Sequence, residues 1–380
     1  MGKTKIVVLY QVVMHYRVPL YLRLAQDSEL DFILFYGDGE LNTKLKNADF
    51  PTDIIKSKKH FTIRLPFKTS NHSSSLPFYP FLFFNLIRLS PDVIVSEGTS
   101  SFLNAAIAFL YAKIFRKKFI WWSLGKLKNH KNKGFRKIIA YWERYIERKS
   151  DAIFTYSTQG KEYFISEGVP PEQIFVGINV LETTKKLKEV AQYAHTEFGY
   201  NNYFNLVFIG SITKEKKLEV LIDALNIFNE KYADVGKLHI IGDGQHLDAL
   251  KNYTDQKGLA TAVVYHGRIN EGASRILQHC DVMVLPGLGG LAICEGMVNS
   301  LPVITGLADG TENDLINDDC GFILPNINAD ILYQKLEYLY THPEIRKKMG
   351  LVSFHRITKE FTFDKYYAAL GHAINYSIKK

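Results

Sequence analysis

The fold of this chain is indicated most clearly by residues 284–304, VLPGLGGLAICEGMVNSLPVI. An apolar run breaks at Pro286 and three glycines, resumes as a helix-compatible segment from about Leu291, and is followed by a second apolar run. This order predicts a strand, a tight loop, a helix and another strand. In a parallel sheet such a loop lies at the carboxyl end of its strand, where open α/β sheets bind ligands.

The loop and the following helix have the composition of a nucleotide site. Gly289 and Gly290 let the backbone approach a ligand and adopt positive φ at low cost, and the helix would direct its N–H groups at an anion. Glu295 lies about one turn into that helix, where its carboxylate can accept hydrogen bonds from a diol. A phosphate site beside a diol site is typical of nucleotide binding. The alternative is that the loop binds nothing, since glycine-rich turns also precede helices in proteins without a ligand there.

Length and composition favour a globular protein with two domains. The 380 residues are 46% hydrophobic and 23% charged. Three cysteines lack metal-ligand spacing and are interpreted as reduced thiols of a cytosolic protein. The apolar run after Lys5 is too short for a signal peptide core, and no segment has the length and apolarity of a membrane span.

The net charge of +8 is concentrated in a basic block at residues 116–149. A basic face near exposed aromatic residues suits an anionic membrane surface or a polyanionic substrate. A solvated helix face is the other interpretation. Nucleic acid is the less favoured partner, because the chain shows no recognisable nucleic-acid-binding module. We expect contact with an anionic membrane through Lys117, Lys118, Lys128 and their neighbours in the basic block, together with aromatic residues near 78–84.

Strands alternate with helices along most of the chain, which predicts doubly wound parallel sheets and an α/β fold. We predict two Rossmann-like domains, one at residues 1–185 and one at residues 186–363, facing a central cleft that is the default ligand site. A C-terminal helix at about residues 364–380 is expected to pack on the first domain. Residues 40–75 are predicted to be irregular, with residues 71–75 as a loop.

A second loop of the predicted C-terminal sheet carries three lysines at residues 214–217. A lysine at the carboxyl end of a strand can place an ammonium group on a diphosphate. Lys216 is our candidate for that role. The alternative is that these lysines are solvent-facing charges at the start of a helix.

The motifs of the second half, taken in order, resemble those of GT-B glycosyltransferases of family 4. They are FIGSITKEKK at 208–217, IIGDG at 240–244, HGR at 266–268, DVMVLP at 281–286 leading to Gly290, Leu291 and Glu295, and LPVI at 301–304. In the first half, YRVP at 16–19 and WWSLG at 121–125 resemble segments of family members that build bacterial surface polysaccharides.

The resemblance implies transfer of a sugar from a nucleotide-sugar, such as a UDP- or GDP-sugar, without a bound metal or other cofactor. Lys216 with Gly289, Gly290 and Leu291 would hold the diphosphate, Glu295 the ribose, and Arg268 with Ile269 the base. A growing negative charge on the leaving diphosphate would be stabilised by the lysine and the helix start. The resemblance favours retention of configuration, which the sequence leaves open.

Two positions depart from the family pattern. Gly287 stands where the first of two glutamates is usual, and Ser211 stands where an arginine often precedes the phosphate lysine. The first departure leaves the usual contact to the donor sugar unfilled, and the second removes one diphosphate cation.

Groups that act on the acceptor are expected from the first domain. His15, Glu97 and Lys126 follow predicted strands and are our catalytic candidates, and Arg17 is a candidate partner of a phosphate or an acceptor anion. Glu97 could instead cap a helix or pair with the basic block, and His15 could be an ordinary loop residue.

The predicted function is transfer of a sugar to a glycan or lipid-linked acceptor in cell-surface polysaccharide biosynthesis, including lipopolysaccharide and capsule. We expect the protein in the cytoplasm, peripheral on the inner face of the membrane. Two alternatives remain: a nucleotide-sugar epimerase or hydrolase on the same fold, and a degenerate GT-B protein that binds without catalysis.

Overall fold

The fold is described from a computed structural model, which covers residues 2–39, 46–68, 73–125, 135–193, 199–200 and 202–380. The chain divides into two compact units. Unit 1 contains Met1–Gly177 and Asp364–Lys380, and unit 2 contains Ile178–Phe363. In the part of the chain that is described, no helix has both the length and the apolar character needed to cross a membrane.

Unit 1 is built on a seven-stranded parallel sheet with the order β3-β2-β1-β6-β7-β8-β9. The strands of unit 1 are β1 (Thr4–Tyr10), β2 (Leu30–Tyr36), β3 (Ser57–Lys59), β4 (Ile63–Lys68), β5 (Ser73–Phe78), β6 (Val93–Glu97), β7 (Lys118–Trp122), β8 (Ala152–Thr155) and β9 (Ile174–Val176). β4 and β5 are not part of the seven-stranded sheet and pair with each other. Its helices are α1 (Val18–Gln26), α2 (Leu82–Leu89), α3 (Phe102–Ile114), α4 (Phe135–Lys149) and α5 (Thr158–Ser166). Apolar strands buried by helices form the core, as a parallel sheet requires.

The prediction of an irregular segment at residues 40–75 was wrong in part. β4 and β5 form an antiparallel pair, so residues 73–75 are strand, and β3 lies at the edge of the large sheet. Residues 71 and 72 lie outside the described residues. A run of serines is poor in residues that favour strands, and here the hydrogen bonds to the opposite strand define the structure.

Unit 2 contains a six-stranded parallel sheet with the order β12-β11-β10-β13-β14-β15. Its strands are β10 (Phe204–Ile209), β11 (Gly236–Ile241), β12 (Val263–Gly267), β13 (Val282–Leu285), β14 (Val303–Thr305) and β15 (Gly321–Ile323). Its helices are α6 (Thr183–Tyr193), α7 (Leu218–Tyr232), α8 (Leu247–Gln256), α9 (Ser274–Leu277), α10 (Ala292–Val298), α11 (Thr311–Leu315), α12 (Ala329–Thr341) and α13 (Pro343–His355), followed by a π-helical turn at Arg356–Glu360.

The last helix, α14 (Phe363–Lys379), packs within unit 1. Its Tyr366 ring lies 5.5 Å from the ring of Phe154, and its Tyr367 hydroxyl donates a 2.6 Å hydrogen bond to Asp27. α6 belongs to unit 2, where Lys186 and Glu189 contact α10 and α9. The division between the units therefore falls at residues 177 and 178, ahead of α6.

In both sheets the strand order reverses beside the first strand of the unit. The reversal lies between β1 and β6 in unit 1 and between β10 and β13 in unit 2. The loops that leave such neighbouring strands in opposite directions open a crevice at the carboxyl edge, where α/β sheets bind ligands. The topology therefore selects four loops as candidate site loops.

The loops at this edge of unit 2 approach one another at glycines. Gly242 has a φ of +151°, and a Cβ there would lie 1.8 Å from the carbonyl oxygen of Gly210. Since the position of a Cβ is fixed by the backbone and the oxygen is itself a backbone atom, no side-chain rotation can relieve that overlap.

We expect Gly242→Ala to lower the free energy of unfolding of unit 2 by about 2 kcal/mol or more, because it adds strained φ to a steric clash. Gly199→Ala is the control, since its Cβ would meet nothing within 4 Å in the same unit, and it should stay within about 0.5 kcal/mol of the parent. Urea unfolding of both variants measures the difference. Equal stability of the two variants would contradict the close approach.

Candidate functional site

Lys216 contacts the glycine-rich loop of residues 286–291. It ends a 3-10 turn, Lys214–Lys216, that follows β10, and its Nζ donates a hydrogen bond to the carbonyl oxygen of Leu288 in the loop after β13. β10 and β13 are neighbours at the reversal of strand order. The structure therefore brings together two predicted parts of the site that lie far apart in sequence.

The same approach explains the glycine at position 287. A Cβ at Gly287 would lie 2.1 Å from the carbonyl oxygen of Glu215 and 2.7 Å from the Cα of Lys216. Any larger residue would have to push the lysine loop away. The departure from the family pattern at this position is therefore coupled to the placement of Lys216.

The electrostatic surroundings of Lys216 are mixed. Its side chain is half-buried, and burial lowers its pKa, while the carboxylates of Asp309 and Glu215 oppose that shift. Asp309 follows β14, the next strand of the sheet. Three neighbouring loops thus contribute to the environment of one ammonium group at the carboxyl edge.

The segment Gly289, Gly290 and Leu291 leads directly into α10. Gly290 has a φ of +55°, and a Cβ there would meet nothing within 4 Å. Gly289 is more enclosed, because a Cβ added there would lie 3.2 Å from side-chain atoms of Ile293 and Thr305. Leu291 is the N-cap residue of α10 and makes no side-chain capping hydrogen bond. Gly290 therefore has both the positive φ and the open space that the sequence predicted for this loop.

Glu295 lies in the first turn of α10 and is held by a lysine of α6. Its Oε1 is 2.9 Å from Nζ of Lys186, which is also 3.2 Å from Oε2 of Glu189. Burial raises the pKa of Glu295, and Lys186 opposes that shift. The other oxygen, Oε2, is buried and has no hydrogen-bond partner among the residues that the structure describes. Lys186 was missed by sequence reasoning, because it lies more than 100 residues before its partner in a polar helix.

The remaining donor candidates lie along the same edge of unit 2. Ser211 is exposed in the loop after β10, and Arg268 and Ile269 follow β12 at one end of the sheet. Arg268 is exposed, and its Nε donates a 2.9 Å hydrogen bond to Asn270. Their roles toward a donor stay predictions.

In unit 1, Glu97 ends β6 at the reversal of strand order. Its Oε2 accepts a 3.1 Å hydrogen bond from the Gln11 backbone N–H, and its Oε1 accepts one from the Ser100 hydroxyl. Burial raises the pKa of Glu97, while these hydrogen bonds and Arg17 oppose the shift. His15 is exposed in a 3-10 turn after β1, with its ring centroid 5.6 Å from that of Tyr16.

Arg17 is enclosed by aromatic rings and is only 3% exposed. Its guanidinium carbon lies 4.9 Å from the ring centroids of both Trp122 and Tyr156. It donates a hydrogen bond to the hydroxyl of Tyr366 in α14. The predicted contact of Arg17 with an acceptor or phosphate stays a prediction, and the observed contacts hold strand ends and the last helix together.

The aromatic set around Arg17 was not predicted. One part of it was visible in the sequence, since Trp122 and Tyr156 both come at the ends of predicted strands. Tyr366 could not be found in that way, because it lies about 350 residues from Arg17. The third catalytic candidate, Lys126, lies outside the described residues.

No group of three or more His, Cys, Asp or Glu side chains suited to a metal ion occurs in the described ranges. Cys280, Cys294 and Cys320 are buried free thiols.

Comparison with known proteins agrees with this geometry. Residues 197–351 match the family described as glycosyl transferases group 1. An uncharacterized glycosyltransferase of Methanocaldococcus jannaschii is 25% identical over 231 residues, covering 59% of this chain and 59% of that protein. The capsular polysaccharide biosynthesis glycosyltransferase CapM of Staphylococcus aureus is 25% identical over 186 residues, covering 47% of this chain and 48% of CapM. The chain thus spans about half the length of these curated relatives.

Solved structures with the same fold include HepE of Anabaena in complex with UDP. The TM-score is 0.74 at 14% identity, over 98% of this chain and 100% of that chain. A structure of HepE with UDP-glucose has a TM-score of 0.71 at 14% identity, over 98% and 99% of the two chains. At this identity the likeness shows the fold.

The class that the structure defines is one of fold, since the chain has the fold of GT-B glycosyltransferases. More particularly, residues 197–351 match the glycosyl transferases group 1 family, and this segment contains Lys216, the glycine-rich loop and Glu295.

Lys186→Met tests the ion pair that holds Glu295. Removing the lysine should raise the pKa of Glu295 further and leave a buried charge without its cation, so the free energy of unfolding near neutral pH should fall by on the order of 3 kcal/mol. Lowering the pH through the raised pKa protonates the carboxyl group, so the loss should be larger at about pH 7.5 than at about pH 5.

Lys186→Arg is the matched control, because it keeps the positive charge, and it should lose little stability at either pH. Urea unfolding of the parent and both variants at the two pH values supplies the measurement. A loss for Lys186→Met that is independent of pH would show that the lysine acts only through packing.

Proposed function

We propose that this protein transfers a sugar from a nucleotide-sugar, such as a UDP- or GDP-sugar, to a glycan or lipid-linked acceptor in cell-surface polysaccharide biosynthesis. The observation that carries the proposal is the contact of Lys216 with the glycine-rich loop at the reversal of strand order. An ammonium group beside an open glycine at the start of a helix suits the charge of a diphosphate. The structures of HepE with UDP and with UDP-glucose, and the similarity to the capsular polysaccharide biosynthesis glycosyltransferase CapM, support the choice of donor and pathway.

Each group has a proposed task in this reaction. Lys216 with Gly289, Gly290 and Leu291 would bind the diphosphate and stabilise the charge that grows on it as the glycosidic bond breaks. Glu295 would accept hydrogen bonds from the ribose hydroxyls through Oε2, the oxygen that Lys186 does not engage. Ser211 would contribute to the diphosphate site, and Arg268 and Ile269 would contact the base.

The first unit would supply the groups that act on the acceptor. Glu97 is our choice for a group that orients the acceptor, because its carboxylate ends β6 at the reversal of strand order. We propose a retaining reaction without a metal, in which leaving phosphate oxygens take the proton of the acceptor hydroxyl. We also propose a cytoplasmic location at the inner face of the membrane.

The donor assignment predicts specific losses of activity. Lys216→Ala and Glu295→Ala should each lower the transfer rate by about a hundredfold, the scale for losing one charge-stabilising contact. Lys214→Ala is the matched control, since that lysine is exposed in the same turn, and its rate should stay near that of the parent. The measurement is sugar transfer to an acceptor after a screen of nucleotide-sugars has identified the donor by its effect on thermal unfolding.

Three outcomes would count against the proposal. Parent-like rates in both site variants would remove the donor assignment. Rapid epimerisation, or release of free sugar without an acceptor, would favour an epimerase or hydrolase. If no nucleoside diphosphate or nucleotide-sugar shifted the melting temperature, a binding protein without catalysis would be the better description.

A further inference from the structure

Helix α4 of unit 1 presents an apolar stripe to solvent. Ile138, Tyr141, Trp142 and Tyr145 are 55%, 61%, 50% and 43% exposed. Their spacing of i, i+3, i+4 and i+7 is the pattern by which a helix normally buries one face in a core. A different face of α4, which includes Ala140 and Ile146, is the buried one. The helix therefore has apolar residues on two faces and packs only one of them within its unit.

Helix α3 extends this exposed surface. Its Leu110 and Ile114 are 54% and 56% exposed, and the Phe109 ring lies 6.4 Å from that of Tyr145 in α4. We call the exposed side chains of the two helices the α3–α4 patch, which consists of Leu110, Ile114, Ile138, Tyr141, Trp142 and Tyr145. Contiguous apolar surface of this kind marks an interaction site more often than an isolated exposed side chain does.

A basic cavity of about 690 Å³ adjoins the patch. Tyr141 and Tyr145 line it and belong to the patch as well. The charged side chains in its lining are five cations and one carboxylate, namely Lys113, Arg144, Arg148, Lys149, Lys380 and Asp151. The cavity and the patch are therefore one continuous surface with a positive and an apolar part.

Acidic neighbours only partly balance the cations. Glu167 lies 3.8 Å from Arg144 and 3.7 Å from Arg148, and Asp151 lies 3.8 Å from Lys113. The cations of these pairs keep 36–52% of their side chains exposed, and partly exposed pairs contribute little energy, so the cations can still bind another anion. Lys149 is exposed beside them. The cavity thus keeps a net positive charge.

We infer that the α3–α4 patch and its basic cavity form a docking surface for an anionic phospholipid bilayer. The cavity takes phosphate-bearing headgroups, and the aromatic and aliphatic side chains enter the boundary between headgroups and acyl chains. An acidic soluble glycan would match the cations but not Leu110, Ile114 and Ile138, so the apolar part favours the bilayer. The inference rests on the proposed function in one respect: docking at this surface would bring the protein to the bilayer that holds a lipid-linked acceptor.

The surface uses the end of the basic block that the sequence predicted at residues 116–149. Lys117 is 3.1 Å from Asp92 and Lys118 is 3.9 Å from Asp151, and Lys128 lies outside the described residues, so membrane contact through these three lysines stays a prediction. The cavity instead uses Arg144, Arg148 and Lys149 from the end of α4.

The unmodified protein supplies the first test. Trp142 is half-exposed, whereas the other two tryptophans, Trp121 and Trp122, are fully buried. Vesicles of phosphatidylglycerol and phosphatidylcholine with brominated acyl chains should therefore quench the emission of Trp142, and vesicles of brominated phosphatidylcholine alone should not. The quenched component should disappear in Trp142→Phe, while flotation with the anionic vesicles remains. Binding without quenching, or equal quenching by neutral vesicles, would overturn the inference.

Variants then test the two parts of the surface by flotation with the same vesicles. Arg148→Gln combined with Lys149→Gln should weaken binding on the order of tenfold, since each basic residue near the surface contributes. Trp142→Ser should weaken it by a similar factor. Lys347→Gln with Lys348→Gln, in exposed positions of unit 2, and Phe61→Ser, exposed elsewhere in unit 1, are the matched controls and should bind like the parent.

Thermal unfolding separates loss of binding from loss of folding. Arg148 also donates to the carbonyl oxygen of Glu167, so Lys149→Gln alone serves as the basic variant if the double variant unfolds. Undiminished vesicle binding in the folded variants would contradict the inference, as would binding of dextran sulfate by a protein that ignores vesicles. Failure of the proposed function is seen separately, because it would abolish the nucleotide-induced shift in melting temperature and leave flotation intact.

Discussion

The candidate donor site depends on the close approach of backbone to backbone at the carboxyl edge of the second sheet. Gly242 faces the carbonyl of Gly210, Gly244 faces that of Ile212, and Gly287 faces that of Glu215. At each place a Cβ would lie within about 2 Å of a carbonyl oxygen. These contacts join the loops of three neighbouring strands. They place the half-buried Lys216 on the loop that leads to α10.

This constraint gives Gly287 a physical role. A glutamate there, as the family pattern usually has it, would require a different path for the lysine turn, because the Cα of Lys216 lies 2.7 Å from the position of a Cβ at 287. The chain thus replaces a side-chain contact by a tighter packing of two loops. Charge at this edge is then set by Lys216, with Asp309 and Glu215 as its acidic neighbours.

Both units place buried charges beside the reversal of strand order, but they stabilise them differently. In unit 2, Glu295 keeps one oxygen on Lys186 and leaves the other buried without a described partner, so one ion pair orients the carboxylate. In unit 1, Arg17 is enclosed by Tyr16, Trp122, Tyr156 and Tyr366, and cation–π contacts replace water around it. The hydrogen bond from Arg17 to Tyr366 joins α14 to the start of the chain.

The sequence by itself determined the class of fold, the alternation of strands and helices, and the two loops of the candidate donor site. Residues 284–304 show why. A buried strand needs apolar residues and a tight turn with positive φ favours glycine, so the order of strands and turns can be predicted from the residues at those positions alone. Only the tertiary structure decided that Lys186 holds Glu295, that aromatic rings enclose Arg17, and that residues 73–75 pair with β4. Those contacts join residues whose separation along the chain leaves no periodic pattern, so they arise from the order of the strands and the packing of the helices on them.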